Sequence, residues 1–347
     1  VTPLRILHTI ASDRFAGVEQ FVRRLAAAQA EHGHHVTVAG GAPGHMSSTL
    51  ERAGVHAVPA RTALDVMRAV RRTPADVVNS HMTAADAASA IALLGRRTAL
   101  VSTRHFAGRR AHAGPLSIDP FLRRVDAEIA VSRAVAAATG MASTVVHPGL
   151  PAATNTSDDQ PRHPVARRIL MVQRLQPEKH TAIGVRAFAT SGLAAEDWGL
   201  LILGEGPDRA ELEALIAELG LRDSALLIGF RDDVPELLKS SSLLLSTCPV
   251  EGLGLAVLEA MSFGLAPIAA GAAGHLDLLE GLDERALFRP DDVADAATAL
   301  RAFADDPDRR RRLAAAARER ALSEFSIERQ VAGTDAVYRD AIAGRLA

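Results

Sequence analysis

Short apolar runs alternate with helix-period segments along this chain, and few architectures absorb that pattern. Arg5–Ile10, His35–Ala39, Ala75–Asn79, Leu100–Thr103 and Ala127–Val131 read as strands. Val18–His32, Ala84–Leu94 and Arg133–Thr139 read as helices; in the first, Val18, Phe21, Val22, Leu25 and Ala28 share one face and Gly33 ends it. Strands that alternate with helices pair in parallel, because each crossover helix returns the chain to the same edge of the sheet. The alternation stops and then begins again. Ile169–Val172, Leu200–Leu203, Ala225–Ile228, Leu243–Ser246 and Ala266–Ala269 are the second set of strands, with helices at Thr181–Ala189, Arg209–Leu219, Val234–Lys239 and Leu255–Ser262. Val293 to Ile342 is almost wholly helical. The expected fold is α/β: two doubly wound Rossmann-like domains and a helical C-terminal segment. Ligands in such sheets bind beyond the carboxyl ends of the strands. With two such domains, the cleft between them is the expected site.

The break between the two sets is Ala152–His163, a polar stretch with a proline and no periodicity. The expected domains are 1–155 and 164–325, followed by a helix over 326–347. A length of 347 residues suits two domains at roughly 100–200 residues each. A hydrophobic content of 48% and a charged content of 23% support buried cores rather than disorder. A net charge of −2 argues against a general nucleic-acid binder. The lone cysteine, Cys248, excludes a disulfide framework and a cysteine-clustered zinc site. No apolar run approaches the roughly 20 residues of a membrane helix; Gly252–Gly274 is interrupted by Glu259 and Pro267. The block Ile6–Ile10 after Arg5 is too short for a secretion signal, so a cytoplasmic location is expected. Charge is uneven: residues 1–160 hold 17 Arg, no Lys and 12 acids, and the remainder holds 22 bases and 29 acids. Two independently solvated surfaces explain this simply. A first half that meets an anionic acceptor, or halves that close on each other, are the sharper readings.

Five loops after strands could carry chemistry. Arg174-Leu-Gln-Pro-Glu-Lys179 follows the strand Ile169–Val172. Two cations in a strand-to-helix loop suit a diphosphate, where fixed positive charge joins free backbone N–H groups, although loop cations are ordinarily just solvated. Glu251-Gly-Leu-Gly-Leu-Ala-Val-Leu-Glu259 places Glu251 in a glycine loop and Glu259 about one turn into an apolar helix. The glycines permit close backbone approach to a ligand, and a carboxylate accepts well from paired sugar hydroxyls. Glu259 lies among Leu258, Ala260 and Met261, where an acid calls for a partner in the protein or a ligand. Ser102-Thr103-Arg104-His105 ends a strand, so His105 can point into a cleft; His81 ends another, and with 13 histidines position alone says little for either. Arg14-Phe-Ala-Gly17-Val-Glu19 opens the first helix, and Gly17 suits either a phosphate or simply a tight turn. Gly204-Glu-Gly-Pro-Asp208, with Glu205 at its centre, lacks the third glycine of a dinucleotide fingerprint and reads as a turn that lines a nucleotide crevice. No Walker-type lysine loop, HExxH motif or Gly-x-Ser-x-Gly elbow is present. The acidic pairs Asp158-Asp159, Asp232-Asp233 and Asp291-Asp292 read as turn and cap residues rather than metal loops.

Taken in order, these segments resemble family 4 of the retaining glycosyltransferases, with the GT-B architecture. Glu251-Gly-Leu-Gly-Leu-Ala-Val-Leu-Glu-Ala-Met-Ser-Phe-Gly264 is similar to the family's paired-glutamate signature, and Arg174–Lys179 to its diphosphate loop. Gly204-Glu-Gly-Pro and Gly229-Phe-Arg-Asp-Asp-Val-Pro-Glu-Leu-Leu follow in the family's order. The resemblance covers essentially the whole chain and is strongest from Ile169 to Asp277. It implies an acceptor-binding first domain, a nucleotide-sugar-binding second domain, and a C-terminal helix that packs back on the first. It further implies that Arg174 and Lys179 hold the leaving diphosphate and Glu259 the ribose hydroxyls. Glu251, with the N–H groups of Gly252, Leu253, Gly254 and Leu255, would hold donor sugar and phosphates. Phe230 and Arg231 would lie near the base, His105 near the transferred sugar, and Gly17 in the glycine loop facing the diphosphate. Three positions depart from the pattern: Gln173 stands where glycine is usual, Ala16 precedes Gly17 where two glycines are common, and Asp277 replaces a glutamate. Gln173 would narrow the diphosphate pocket or add an amide donor to it.

The implied activity is transfer of a glycosyl group from a UDP- or GDP-sugar to an acceptor hydroxyl, with retention, without metal or cofactor. The nucleotide sugar is a substrate, and no nucleic acid is involved. The acceptor is a small molecule or glycolipid, with membrane association at most peripheral, since no strongly amphipathic basic helix is present. The chain also resembles small antibiotic-pathway enzymes in its compact first domain and preference for Arg over Lys, and that resemblance implies an oligosaccharide-antibiotic precursor of the avilamycin type as acceptor. Lipid, lipopolysaccharide or polysaccharide precursors are the alternative. A GT-B epimerase, a sugar phosphorylase and a non-catalytic nucleotide-binding module are the rival functions, and the incomplete glycine fingerprint disfavours a dinucleotide oxidoreductase. Arg109-Arg110 could meet an anionic acceptor, although solvated arginines explain them as well.

Overall fold

A computed structural model describes residues 2–107, 123–151 and 167–346. The Ala152–His163 stretch, Asp158-Asp159 and Arg109-Arg110 lie outside the described residues. The chain divides into two compact units: Val1–Pro151 with Ser326–Ala347, and Ala152–Phe325.

The first unit contains β1 (Arg5–Ile10), α1 (Gly17–Glu31), β2 (His35–Ala39), α2 (Pro43–Arg52), β3 (His56–Val58), α3 (Ala63–Arg72), β4 (Val77–His81), α4 (Thr83–Ala92), β5 (Ala99–Arg104), β6 (Ala127–Ala130), α5 (Arg133–Thr139) and β7 (Thr144–Val145). Its sheet has the order β3-β2-β1-β4-β5-β6-β7, and every pairing is parallel. Central strands of such a sheet are buried on both faces: β4 and nearly all of β1 and β5 are out of solvent. Helix starts follow local capping chemistry. The Thr62 hydroxyl accepts from the Asp65 N–H at the start of α3, and Ser132 accepts from Val135 N–H at the start of α5. A last helix of the chain, over Ile327–Leu346, belongs to this unit. Its residues Ile327, Val331, Val337, Tyr338 and Ala341 join Ile6, Phe21, Val22, Leu25 and Val101 in one core. The His34 Nε2–H donates to Asp335 on that helix at 2.6 Å, while His34 Nδ1 accepts from the Leu4 N–H.

The second unit contains β8 (Arg168–Val172), α6 (Thr181–Ser191), β9 (Gly199–Leu203), α7 (Arg209–Glu218), β10 (Ala225–Gly229), α8 (Val234–Lys239), β11 (Leu243–Ser246), α9 (Leu255–Ser262), β12 (Ala266–Ala270), α10 (Gly274–Leu279), β13 (Leu287–Phe288), α11 (Val293–Ala304) and α12 (Pro307–Glu324). The C-terminal helix already described is α13. The sheet order is β10-β9-β8-β11-β12-β13, again all parallel. The order reverses between β8 and β11, and that switch point opens a crevice at the carboxyl ends of both strands. Ile169, Met171, Leu200, Ile202, Leu243, Leu245 and Ile268 fill the core with Phe188, Trp198 and Phe303 from the covering segments. Asp292 caps α11 through the Asp295 N–H at 2.9 Å, the role its acidic pair suggested. Among the described residues, no helix is long and apolar enough to cross a membrane.

Four strands differ from the sequence expectation. The strand placed at Ala75–Asn79 runs Val77–His81, so Asn79, Ser80 and His81 are fully buried strand residues. The short strands β3, β7 and β13 and the helices α2, α3 and α10 had no counterpart in the sequence reading.

Candidate active site

In the second unit, the singled-out segments all lie at the carboxyl edge of the sheet. Residues 173–180 follow β8, Gly204–Asp208 follow β9, Phe230 and Arg231 follow β10, and Thr247–Gly254 follow β11. A third glycine loop, Gly271–Gly274, follows β12.

The loops after β8 and β11 meet at the switch point. Lys179 Nζ pairs with Glu251 Oε1. The Thr247 hydroxyl donates to the Lys179 carbonyl at 2.8 Å, and Cys248 Sγ donates to the Glu178 carbonyl. Burial pushes the Glu251 carboxyl up, but Lys179, His275 and Arg174 together outweigh it and leave the group below the ordinary carboxylate range. Cys248 is different: burial and the nearby Glu251 push its thiol up to about 11, so it stays protonated and is no nucleophile. Arg174 is half exposed, with Glu178 at 3.4 Å. Gln173 does not face outward as an extra donor. Its amide donates to Thr181 Oγ1 at 2.8 Å and lies 3.4 Å from the Lys179 carbonyl, tying the two ends of the cationic loop together.

Backbone approach explains the glycines. Gly204 has φ +125°, and a Cβ there would lie 1.9 Å from the Gln173 carbonyl oxygen; one at Gly206 would lie 2.0 Å from the Leu175 oxygen. The Leu175 N–H donates to Glu205 O, and Asp208 N–H donates to Leu175 O. The Gly204–Asp208 turn is therefore a backbone brace for the Arg174 loop. Likewise a Cβ on Gly274 would lie 2.3 Å from Leu253 Cα, and one on Gly254 (φ +100°) 2.8 Å from the His275 ring. Gly274 N–H donates to Glu251 O, so the loops leading into α9 and α10 lock together. His275 Nδ1–H donates to the Ala270 carbonyl and its Nε2 accepts from Ser246 Oγ; burial lowers its pKa, with Glu251 opposing the shift.

Glu259 is half-buried on α9, one turn past Leu255. Asp277 is buried on α10. The Phe230 ring is 68% exposed, Arg231 forks onto Asp233 at 2.6 and 2.8 Å, and Glu205 is exposed beside Arg209. This edge thus combines cations, carboxylates, glycine-lined backbone at the start of the eight-residue helix α9, and an open aromatic face.

In the first unit, Gly17 is the first residue of α1, with Glu19 Oε2 accepting from the Ala16 N–H. His105 follows β5 and is engaged through Nε2 with His81 Nδ1 at 3.0 Å; burial lowers its pKa to about 3. Sequence reasoning missed Thr181, Thr247 and His275, and it missed His8 and Gln29 behind His81. Gln29 had a signal: it lies one turn beyond Leu25, on the apolar face of its helix.

The model of glycosyl transferases group 1 matches residues 155–320, and that of glycosyltransferase family 4 matches residues 15–150. The chain is 31% identical over 176 residues to the 2-deoxystreptamine glucosyltransferase of Streptomyces kanamyceticus, covering 50% of this chain and 45% of that protein. It is 29% identical over 254 residues to the lipopolysaccharide core biosynthesis mannosyltransferase LpsB of Rhizobium meliloti, covering 67% and 70%. The match thus spans about half the length of the first of these relatives. The crystal structure of Anabaena Alr3699/HepE in complex with UDP and glucose shares the fold, with a TM-score of 0.82, 19% identity and coverage of 96% and 98%. With both models in sequence order on two parallel-sheet units, the chain belongs to the family 4 glycosyltransferases of the GT-B fold.

Proposed function

We propose that this protein transfers a glycosyl group from a nucleoside diphosphate sugar to an acceptor hydroxyl, with retention of configuration. The observation that carries the reading is the Arg174–Lys179 loop at the switch point of the second unit, held against Glu251 and the glycine-led start of α9. Arg174 and Lys179 take the diphosphate, aided by N–H groups of Gly252 to Leu255. Glu259 takes the ribose hydroxyls, Phe230 and Arg231 the base, and Glu251 the sugar. Glu205 lines the crevice near the base. Gly17 and His105 act from the first unit, on the diphosphate and the transferred sugar. The UDP in the Anabaena structure supports a uridine nucleotide.

In the reaction the bond from the anomeric carbon to the diphosphate breaks as the acceptor oxygen attacks from the same face. The acceptor proton passes to the departing diphosphate oxygen. Negative charge grows on that oxygen, so fixed cations and N–H dipoles stabilise the transition state more than the ground state. No metal or cofactor takes part. The first unit receives the acceptor. Likeness to the 2-deoxystreptamine glucosyltransferase of Streptomyces kanamyceticus supports a natural-product acceptor, which we take to be of the oligosaccharide-antibiotic kind. The longer match to LpsB supports a second reading, a lipopolysaccharide-type acceptor.

Calorimetric titration with UDP and GDP, then mass spectrometry of products from a panel of nucleotide sugars and both acceptor classes, tests the proposal. Glu259→Ala is expected to lose nucleotide affinity and turnover while staying folded. Retained affinity and turnover in Glu259→Ala, or product formed without an acceptor, refutes it.

A further inference from the structure

Lys179 is followed by a residue in a costly backbone conformation. His180 stands between the short turn Pro177–Lys179 and the first residue of α6, with φ +50° and ψ +38°. Glycine enters this left-handed region freely, and most residues with a Cβ avoid it. Asp291, in the loop between β13 and α11, is left-handed as well, with φ +62°. Among the described residues five non-glycine residues have positive φ, and these two are joined: His180 Nδ1–H donates to Asp291 Oδ1. The helices that follow them, α6 and α11, pack side by side, with Val185, Phe188, Leu300 and Phe303 in one core. The pair therefore ties the starts of two neighbouring helices together across 111 residues of chain.

The residues on either side of His180 have their own holds. The Lys179 carbonyl accepts from the Thr247 hydroxyl, the Lys179 ammonium meets Glu251, and Thr181 Oγ1 accepts from the Gln173 amide. The His180 backbone makes local bonds: its N–H donates to the Pro177 carbonyl at 3.1 Å, and its carbonyl accepts from the Ile183 N–H at 3.0 Å. Among the described residues, the His180 side chain has one partner, the Asp291 carboxylate. The two side chains are 33% and 58% exposed, and so open a pair adds little to global stability. It acts instead on a local choice. A left-handed residue lies only slightly above its right-handed alternative, so a modest bias decides which one is populated. Relaxed to the right-handed region, His180 would run the Pro177–Lys179 turn on into α6 and turn the Lys179 carbonyl away from Thr247.

We propose that His180 and Asp291 are positioning residues, whose bond holds His180 left-handed and so fixes Lys179 where its ammonium meets Glu251 and receives the diphosphate. The clasp reaches the site from behind: Asp291 belongs to the loop before α11, yet it sets the course of the loop after β8. Its effect is on population. When only a fraction of molecules has the competent loop, the apparent nucleotide affinity falls by that fraction, while bound nucleotide restores the competent state and leaves turnover at saturation nearly unchanged. The part played by the diphosphate rests on the proposed function; the hold on Lys179 does not.

Amide hydrogen exchange on the full chain at pH 7.5, without substrate, reads the loop through the N–H groups of Lys179, His180 and Ile183. Asp291→Ala and His180→Ala are each expected to speed their exchange about tenfold, the population shift that the left-handed cost implies, with Tm and the β11 amides unchanged. The double variant is expected to match the singles, because one bond is lost in each. His180→Gly lacks the bond but takes the left-handed turn without a steric cost, so it is expected to come back to within about threefold of wild type. Unchanged exchange in Asp291→Ala, a His180→Gly variant as fast as His180→Ala, or a lowered Tm with exchange raised throughout the unit overturns the proposal. The UDP dissociation constant, by calorimetry, is expected to follow the same series, about tenfold weaker for the two alanine variants, with kcat at saturating donor within about twofold. If exchange responds as expected but UDP affinity does not, the clasp on Lys179 stands and the assignment of Lys179 to the diphosphate fails.

Discussion

Replacing Lys179 with methionine removes a charge while keeping most of the side chain's volume. Burial alone pushes the Glu251 carboxyl up, and Lys179 is the foremost of the groups that hold it down. In Lys179→Met the burial effect prevails, and Glu251 titrates above its ordinary value of about 4.3. The sign of the stability change follows. In the wild type, a depressed carboxylate contributes stability that is fully present above about pH 4.3 and is lost as pH falls through the folded value. In the variant, the ionised carboxylate destabilises the fold, and the penalty disappears as pH falls through the raised value. The two side chains are 13% and 21% exposed. Losing one partner of such a pair costs at most the lower part of the range of about 3–5 kcal/mol seen for buried pairs. A cost of about 3 kcal/mol lowers Tm by about 6–12 °C at pH 7.5, and the deficit narrows at pH 5. Turnover is expected to fall by about 10²–10³-fold, equivalent to about 2.7–4 kcal/mol, as for loss of one transition-state donor. Scanning calorimetry at the two pH values and release of nucleoside diphosphate at saturating donor measure both effects. A kcat within about threefold of wild type refutes the catalytic role, and a Tm deficit that widens on acidification refutes the electrostatic argument.

Phe230→Ala is expected to weaken nucleotide binding by about 1–3 kcal/mol, the usual value of an aromatic stacked on a base. Tm stays constant because the ring is largely exposed, and titration calorimetry beside a melting curve checks both. Gly204→Ala forces a Cβ toward the Gln173 carbonyl at φ +125°. A strain of about 1–3 kcal/mol and a raised donor KM are expected from displacement of the Arg174 loop; an unchanged Tm with an unchanged KM contradicts the brace. Asp335→Ala leaves the buried His34 Nε2–H without its acceptor, costing about 1–3 kcal/mol, read as a lowered Tm.

The sequence reading located both parallel sheets and the cationic and glutamate loops because their signals are local. Apolar strands such as Leu243–Ser246 and the Glu251–Glu259 segment state their own conformation. It set β4 two residues early, at Ala75–Asn79, although it also read His81 as ending a strand, because polar Asn79, Ser80 and His81 carry no apolar strand signal. Their burial depends on partners distant in sequence: Asn79 on Tyr338, Ser80 on Asp86, and His81 on His8 and His105. Gly204 and Gly206 read as turn glycines, whereas the close approach that requires them comes from the Gln173 and Leu175 carbonyls one strand away. Gln173 stood out as a departure from a pattern, but its bond to Thr181 depends on how the loop closes. The three-residue β3, with its two exposed side chains, has no apolar run to announce it.

The assignment of α13 to the first unit bears on how the molecule is made. Residues that complete the first core leave the ribosome only after the entire second unit has been synthesised. The second unit has all of its strands in hand by Phe288 and can close early. The first waits with the cleft for α13 unfilled, so its nascent form exposes apolar surface for the longest interval of synthesis.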